Sequence, residues 1–285
     1  MKILLLGSTG YAGSKFKEAL QSKEWMFDTM PYAEVSVQSL LNKFMGTQFD
    51  AIINCAGYVG RPNVDAVENN REEAVQGNVL LPNILVEFGN IIKAVKILHI
   101  STGCCYESKD GEIFTEEDKP NLDWDSNTNC SFYAGTKSLG EKVIARFPQH
   151  YICRLRMPFD EKDSDRNYLS KLMSYDTLLS KSNSLSHLGD FVDACLQLLE
   201  KKCAFGIYNI VNTGPVTAKE VCSMLNEYDN FKKDFKFFDD EEDFYSRTGC
   251  NKRSNCILSN QKLLDAGVKM RLTTEAIKYS LDNWR

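Results

Sequence analysis

The sequence lacks the marks of several protein classes. It has only three histidines, and none of its ten cysteines forms a CxxC pair, so a zinc cluster is not expected. No apolar run approaches the roughly 18 residues that a membrane-spanning helix needs. The net charge of −5 gives no basic excess of the kind that nucleic-acid binding requires. We therefore expect no metal, no membrane contact and no nucleic-acid partner.

The chain also lacks a secretory signal at its start. Its first segment, "KILLLG", is too short for the apolar region of a signal peptide and runs straight into a glycine turn. Without such a signal, scattered cysteines indicate reduced thiols and a cytoplasmic location. A chain of 285 residues with 43% hydrophobic and 26% charged residues is typical of one large globular domain, or of a domain with a subdomain.

Short apolar segments alternate with amphipathic segments in the first half of the chain. The predicted strands are 2–7, 25–28, 49–57, 94–101, 151–157 and 206–211, and the predicted helices are 12–22, 37–44, 72–89, 132–147 and 188–201. This alternation predicts an α/β fold, a Rossmann-like parallel sheet with helices on both faces. We expect an NAD(P)-binding domain at 1–155, to which 187–211 returns, and a smaller C-terminal substrate-binding lobe at 156–285.

A glycine-rich loop follows the first predicted strand. The spacing in "LLLGSTGYAGSKF" is GxxGxxG, and small residues there let the backbone approach a pyrophosphate at the helix N-terminus. A tight turn between strand and helix is the alternative interpretation. The segment "NCAG" then places small residues where a cofactor would pass. The candidate cofactor residues of these two segments are Gly7, Thr9, Gly10, Tyr11, Ala12, Gly13, Asn54, Ala56 and Gly57.

The choice between NADH and NADPH stays open at this point. Asp28 ends the second predicted strand, where an acid can hold the ribose hydroxyl of NAD or can simply face solvent. No arginine follows nearby to take a 2′-phosphate, although Lys15 and Lys17 lie on the first predicted helix. NADPH is the expected cofactor, and NADH is the alternative.

Three further residues suggest proton chemistry beside that cofactor. Tyr133 and Lys137 are four residues apart on a predicted helix and so share one face. An ammonium close to a phenol lowers the pKa of the phenol, which would make Tyr133 a proton donor or acceptor near neutral pH. Thr102 ends the strand that precedes this helix, and its hydroxyl can bind the same substrate oxygen. An ordinary surface pair is the alternative for the tyrosine and lysine.

With these motifs in this order, the chain resembles the extended short-chain dehydrogenases/reductases. Within that group it is similar to the epimerase-reductases of nucleotide-rhamnose synthesis. The matching segments are "NCAGYVGRPNVD", "STGCCYE", "SFYAGTK", "RLRMP", "RNYLSK" and "KRSN". The resemblance implies epimerisation at C3 and C5 and NAD(P)H-dependent reduction at C4 of UDP-4-keto-6-deoxyglucose, giving UDP-L-rhamnose. It also implies a Thr102, Tyr133 and Lys137 catalytic set.

The resemblance implies roles for further residues. Cys104 matches the cysteine of a TGC motif and Lys171 a lysine implicated in epimerisation, and either could take or give the proton. Packing is the alternative for Cys104 and the expectation for Cys105. Arg253 is expected near the diphosphate. Arg61 and Asn63 are expected to contact the sugar. Asn78 is expected near the active site, and Pro158 beside the nicotinamide.

Two other functions remain open on the sequence. One is a 4-keto sugar nucleotide reductase of the dTDP-4-dehydrorhamnose reductase type, which would act after a separate epimerase. The other is a non-catalytic NADP-binding regulatory subunit on the same fold. The preference for UDP over dTDP depends on the resemblance alone, and the oligomeric state is open, with a homodimer as one alternative.

Overall fold

A six-stranded parallel sheet lies at the centre of the molecule. The computed structural model describes residues 1–93, 96–109, 111–126, 129–249 and 253–285. The sheet strands are β1 (Lys2–Leu6), β2 (Met26–Met30), β3 (Ala51–Asn54), β4 (Ile97–Thr102), β5 (His150–Leu155) and β6 (Gly206–Asn209). Their order across the sheet is β6-β5-β4-β3-β1-β2, and all neighbours run parallel. The α/β fold with a parallel sheet is thereby present as the sequence predicts.

Eleven α-helices accompany the sheet in the described part of the chain. They are α1 (Tyr11–Ser22), α2 (Val37–Phe44), α3 (Arg71–Val75), α4 (Leu81–Ile92), α5 (Phe132–Ile144), α6 (Tyr168–Ser174), α7 (Leu188–Glu200), α8 (Ala218–Leu225), α9 (Glu241–Thr248), α10 (Gln261–Asp265) and α11 (Thr273–Asp282). A π-helical turn, Gln76–Leu80, joins α3 to α4. None of the described helices is both long enough and apolar enough to cross a membrane.

Short helical turns and strand pairs complete the secondary structure. The 3₁₀ turns are Tyr32–Glu34, Val64–Asn69, Gly103–Cys105 and Asp229–Phe231. The two-residue strand pairs are Pro158–Phe159 with Ser186–His187, Ser182–Asn183 with Val216–Thr217, Thr177–Leu178 with Lys236–Phe237, and Ile113–Phe114 with Ile257–Leu258.

Alternating side chains of β1 show how helices cover both faces of the sheet. Ile3 and Leu5 are buried in one core that includes Phe16 of α1 and Phe191 of α7. Leu4 and Leu6 are buried in a second core, formed with α2 and α4. Successive strand residues point to opposite faces, so a fully apolar strand can be buried on both sides.

The strand register brings three functional segments to one edge of the sheet. Leu6 pairs with Asn54, and Asn54 pairs with His99, so β1 and β3 end side by side. β4 continues to Thr102, which pairs with Leu155 of β5. The glycine loop, the segment after Asn54 and the end of β4 therefore all emerge at the carboxyl edge, where parallel sheets bind ligands.

A third hydrophobic core lies outside the sheet. It includes Phe159, Leu172, Val221 and Ile277 and packs the short helices of the C-terminal region together. Trp284 packs against it from near the chain end. The division into a cofactor domain and a substrate lobe at about residue 156 stays a prediction.

Two local features differ from the sequence prediction. β2 runs to Met30, so Asp28 lies inside the strand and does not end it. Its carboxylate pairs with Lys2 Nζ at 3.4 Å, which gives that acid a partner on β1. The predicted helix 72–89 extends over 71–92 and contains the π turn. The prediction missed this turn because one inserted residue hardly disturbs an apolar periodicity.

Candidate active site

The glycine loop is held by contacts that leave no room for side chains. Gly7 has φ +77°, and a Cβ added there would lie 2.5 Å from the backbone nitrogen of Ala56. A Cβ at Gly13 would lie 1.9 Å from the carbonyl oxygen of Gly7, so α1 packs directly on the loop. Gly10 closes the turn by donating its N–H to that same oxygen at 3.0 Å. Glycine is required at the first and third positions by sterics alone.

The N-terminus of α1 is open toward the carboxyl edge of the sheet. Gly10 precedes the helix without a capping side chain, and the first turn has no acidic residue. Thr9 and Gly10 are exposed and Ala12 is half-buried. Free N–H groups at the start of a twelve-residue helix fit the pyrophosphate of a dinucleotide. These residues therefore fit the predicted cofactor.

Tyr11 is turned toward the C-terminal region. Its hydroxyl donates to Asp160 Oδ1 at 2.8 Å. Burial, together with the Asp160 carboxylate, raises the pKa of this phenol far above its ordinary value. This hydrogen bond joins the first turn of α1 to the residue that follows the Pro158–Phe159 strand.

The segment after β3 is fixed by amide side chains. Asn54 Oδ1 accepts the N–H of Ala56 at 3.1 Å, and its Nδ2 contacts His99 Nδ1 at 3.0 Å. Burial, and then the nearby Lys137, lower the pKa of His99 well below its usual range, so the ring is neutral and accepts from the amide. A Cβ on Gly57 would lie 3.0 Å from Asn78 Oδ1. The backbone therefore presents a fixed, flat surface beside the glycine loop.

Thr102, Tyr133 and Lys137 meet at the end of β4. Thr102 accepts the backbone N–H of Cys104 at 3.1 Å, and its hydroxyl acts to lower the pKa of Tyr133. Lys137 Nζ donates to the carbonyl oxygen of Ile100 at 2.9 Å. All three predicted residues are at most 7% exposed.

The electrostatics of this set differ from the expectation. Burial raises the pKa of Tyr133 above its ordinary value, opposed by the Thr102 hydrogen bond and the charges of Arg156 and Arg166. The predicted lowering by Lys137 was wrong, because desolvation of the phenolate is the larger effect here. Burial also lowers the pKa of Lys137 from 10.5 to about 8.

Cys104 faces this group, whereas Cys105 is a packing residue. Cys104 is partly exposed and packs against the cluster that contains Tyr133. Arg156 Nη1 donates to its Sγ at 3.1 Å. The Cys105 thiol is buried and donates to the Thr102 carbonyl oxygen at 3.6 Å, and burial raises its pKa well above the usual range.

Lys171 lies on α6 and lines a pocket that does not include Thr102, Cys104 or Tyr133 among its lining residues. Burial, and then the charge of Arg166, lower the pKa of this lysine. Arg166 also acts on Tyr133 electrostatically, and its Nη2 donates to the Gly60 carbonyl oxygen at 2.8 Å. The charge of Arg166 thus acts on both Lys171 and Tyr133. A pocket of about 560 Å³ beside Lys171 extends toward Pro62 and Trp284.

The predicted substrate contacts lie around the loop that follows β3. Arg253 pairs with Asp65 across this loop. Asn63 caps the same loop by accepting the Asp65 N–H at 2.9 Å, and Arg61 is exposed. Lys252, the first residue of the "KRSN" segment, lies outside the described residues.

Asn78 and Pro158 support neighbouring backbone. Asn78 is fully buried in the π turn, accepts the Tyr58 N–H at 2.9 Å and donates to the Tyr58 carbonyl oxygen at 2.9 Å. It also donates to Thr136 on α5 at 3.2 Å. Pro158 pairs with Ser186 in a two-residue strand just beyond Arg156.

Comparison with known proteins gives the family. A family model described as the RmlD substrate binding domain matches residues 1–285. The chain belongs to this family. The predicted resemblance to enzymes of nucleotide-rhamnose synthesis is thereby confirmed. The chain is 27% identical over 241 residues to a trifunctional UDP-glucose 4,6-dehydratase/UDP-4-keto-6-deoxy-D-glucose 3,5-epimerase/UDP-4-keto-L-rhamnose-reductase of Arabidopsis thaliana. That match covers 81% of this chain and 34% of the relative, so the chain spans about a third of that protein.

A shorter relative matches over more of its own length. The bifunctional dTDP-4-dehydrorhamnose 3,5-epimerase/dTDP-4-dehydrorhamnose reductase of Arabidopsis thaliana is 26% identical over 232 residues, covering 79% of this chain and 74% of the relative. This match spans most of both proteins.

Solved structures confirm the fold class. The L780 UDP-rhamnose synthase of Acanthamoeba polyphaga mimivirus superposes with a TM-score of 0.87 at 20% identity, over 99% of each chain. A dTDP-4-dehydrorhamnose reductase from Bacillus anthracis in complex with NADP superposes with a TM-score of 0.80 at 17% identity, over 99% of this chain and 96% of that one.

Proposed function

We propose that this protein is an NADPH-dependent nucleotide-sugar enzyme that epimerises UDP-4-keto-6-deoxyglucose at C3 and C5 and reduces it at C4 to UDP-L-rhamnose. The observation that carries the proposal is that Cys104 packs against the cluster that contains Tyr133 and donates its N–H to Thr102. A thiol is not needed for reduction, whereas epimerisation needs an additional proton carrier. The epimerase-reductase relatives support both activities.

The cofactor site is assigned to the carboxyl edge of the sheet. The open turn of α1 suits the pyrophosphate, and the backbone at Ala56 and Gly57 forms the adjoining wall. Asp28 has Lys2 as its partner, which argues against a ribose-binding acid and favours NADPH over NADH. The bound dinucleotide supplies the hydride that C4 receives.

Tyr133 and Thr102 act on the C4 oxygen. In reduction, the phenol of Tyr133 gives its proton to that oxygen, and its raised pKa keeps it protonated until then. The Thr102 hydroxyl orients the phenol and can donate to the same oxygen. Lys137, fixed on the Ile100 carbonyl, lies behind this pair and supplies positive charge to the site.

Cys104 and Lys171 move protons at C3 and C5. The C–H bond at either carbon breaks with its electron pair passing to the C4 carbonyl, which becomes an enolate held by Thr102 and Tyr133. One of the two side chains takes that proton and the other returns one on the opposite face. The lowered pKa of Lys171 makes its proton easier to transfer. The assignment of acid and base stays open.

The test is NADPH oxidation with single, defined substrates. UDP-4-keto-6-deoxyglucose, its 3,5-epimerised form and the matching dTDP sugars are offered separately, and absorbance is followed. We expect oxidation with the un-epimerised UDP sugar. NADPH oxidation with only the epimerised sugars would show that the protein is a reductase without epimerase activity. NADPH binding without turnover of any of the sugars would show a non-catalytic subunit.

Other partners and the location of the protein stay predictions. These are the absence of metal, membrane and nucleic acid, the homodimer and the cytoplasmic location. Among the residues that the structure describes, no three metal-ligating side chains are grouped together.

A further inference from the structure

Arg156 is a buried arginine whose side chain reaches the Cys104 sulfur. It is 3% exposed, and Nη1 donates to Cys104 Sγ at 3.1 Å. Its Nη2 donates to Asn183 Oδ1 at 2.7 Å and to the Ser254 carbonyl oxygen. The contacts of Nη2 fix the guanidinium plane, and Nη1 points at the thiol.

The charge of Arg156 has no carboxylate partner within the described residues. Its electrostatic neighbours that can become anionic are Cys256, Cys104, Tyr168 and Tyr133. Its Nε is buried, and none of the described residues accepts a hydrogen bond from it. A buried charge without a counter-ion is costly, so structural stability alone does not explain an arginine here.

Arg154 shows how this strand accommodates a structural arginine. It lies two residues earlier, is equally buried, and forms a bidentate pair with Glu141 through Nε at 2.9 Å and Nη2 at 2.7 Å. Its Nη1 donates to the Tyr106 hydroxyl at 2.9 Å. Arg154 therefore provides a matched control for the loss of a buried guanidinium.

We infer that Arg156 is a positioning residue for epimerisation, which orients the Cys104 sulfur toward the sugar and stabilises it when it carries negative charge. The inference rests on the proposed function and deepens it. A guanidinium only donates hydrogen bonds, so a sulfur lone pair points at Arg156. Whether the sulfur takes the proton from carbon or gives one to the enolate, it is anionic on one side of the step. A charge-assisted hydrogen bond then stabilises that anion.

The principal variant removes the charge. We expect Arg156→Gln to slow two processes by about ten- to a hundredfold, as loss of a hydrogen bond to a charged group implies. One is alkylation of Cys104 by iodoacetamide, followed by tandem mass spectrometry that separates Cys104 from Cys105. The other is solvent deuterium exchange at C3 and C5. Reduction of the already epimerised sugar should fall less than either process, because Tyr133 and Thr102 remain and Arg156 acts on Tyr133 only through its charge.

Two further variants keep the test decisive if Arg156→Gln does not fold. Arg156→Lys retains the charge and should recover part of both rates. Asn183→Asp keeps Arg156 and the acceptor oxygen for its Nη2, but replaces the amide by a carboxylate. The carboxylate should draw the guanidinium away from the Cys104 sulfur and slow both alkylation and exchange. Arg154→Lys is the control and should leave alkylation and exchange at the wild-type rates, even if it lowers stability.

The outcomes separate the inference from the proposed function. Wild-type alkylation and exchange rates in folded Arg156→Gln or Asn183→Asp overturn the inference, because they show a packing role only. An equal loss in Arg154→Lys overturns it as well. No exchange by the wild-type protein overturns the proposed function and this inference together, whereas exchange in the wild type with no effect of Arg156 overturns the inference alone.

Discussion

At the scale of single residues, Tyr133 separates the two halves of the proposed reaction. We expect Tyr133→Phe to lower the rate of reduction about a hundred- to ten-thousandfold, because it removes the general acid. Solvent exchange at C3 and C5 should fall much less, since Cys104 and Lys171 are unchanged and Thr102 still holds the enolate oxygen. Absorbance of NADPH and proton NMR in D₂O measure the two rates on one sample. An equal loss of reduction and exchange would contradict separate roles. Cys104→Ala should have the opposite effect, with solvent exchange at C3 and C5 lost.

Lys137 links the active site to the pH dependence of stability. Burial lowers its pKa from 10.5 to about 8 in the folded protein. Below pH 8 both states carry the charge, and the folded state is destabilised by burying it. As pH rises from 8 to 10.5 the folded protein binds fewer protons than the unfolded chain, so the free energy of unfolding increases.

The variant Lys137→Met isolates this contribution. Between pH 7 and 10 the wild type should gain about 2 to 3 kcal/mol of stability relative to the variant. Urea denaturation of the cofactor-free proteins at both pH values measures the change, and other titrating groups cancel in the difference. A difference that stays constant with pH would show that this lysine keeps an ordinary pKa in the folded state.

Sequence reasoning predicted the residues of the site better than their interactions. Thr102, Tyr133 and Cys104 carry recognisable spacing, and the structure brings them together. Arg156 and Arg166 lay inside quoted motifs but were not singled out, because their contacts come from segments far away in the chain. The sign of the Tyr133 pKa shift was wrong because burial cannot be judged from a four-residue spacing.

At the scale of secondary-structure elements, the glycine loop determines how closely β1, β3 and α1 approach. We expect Gly7→Ala to lower stability by about 1–3 kcal/mol beyond backbone strain, because the new Cβ overlaps the Ala56 backbone. NADPH affinity should fall by about tenfold or more as the loop moves. Thermal unfolding and titration of cofactor fluorescence measure the two effects.

Gly46→Ala is the matched control for that variant. Gly46 has φ +83°, close to the +77° of Gly7, but an added Cβ meets nothing within 4 Å. It should therefore show the strain alone, about 1 to 2 kcal/mol, with unchanged NADPH binding. Equal effects of the two substitutions on the cofactor would contradict a steric role for the loop.

The elements themselves follow from the apolar pattern, with two instructive exceptions. Buried strands such as β1 and β3 consist mainly of consecutive apolar residues, and the structure confirms the sheet. The end of β2 was missed because this edge strand is partly exposed and carries polar residues. The π turn contains Asn78, which bonds both backbone groups of Tyr58, and an apolar periodicity does not predict such a contact.

At the scale of the whole molecule, the pair of Arg253 and Asp65 joins the C-terminal region to the loop after β3. Both side chains are about one-third exposed. If Arg253 binds the diphosphate, Asp65 competes with the ligand for it. We expect Arg253→Ala to weaken UDP binding about ten- to a hundredfold, and Asp65→Asn to strengthen it about two- to fivefold.

Calorimetry with UDP measures both changes. The opposite signs of the two effects distinguish ligand binding from damage to the loop, because a structural role would weaken binding in both variants. If Arg253→Ala leaves UDP binding unaltered, this arginine is not part of the substrate site.

The most direct measurement of the proposed chemistry uses the wild-type protein alone. UDP-4-keto-6-deoxyglucose and NADPH are incubated with it in D₂O, and the product is analysed by NMR. We expect UDP-L-rhamnose with deuterium at C3 and C5 and protium from the cofactor at C4. A reduced sugar that retains its D-configuration and carries no deuterium at C3 or C5 would contradict epimerisation by this protein.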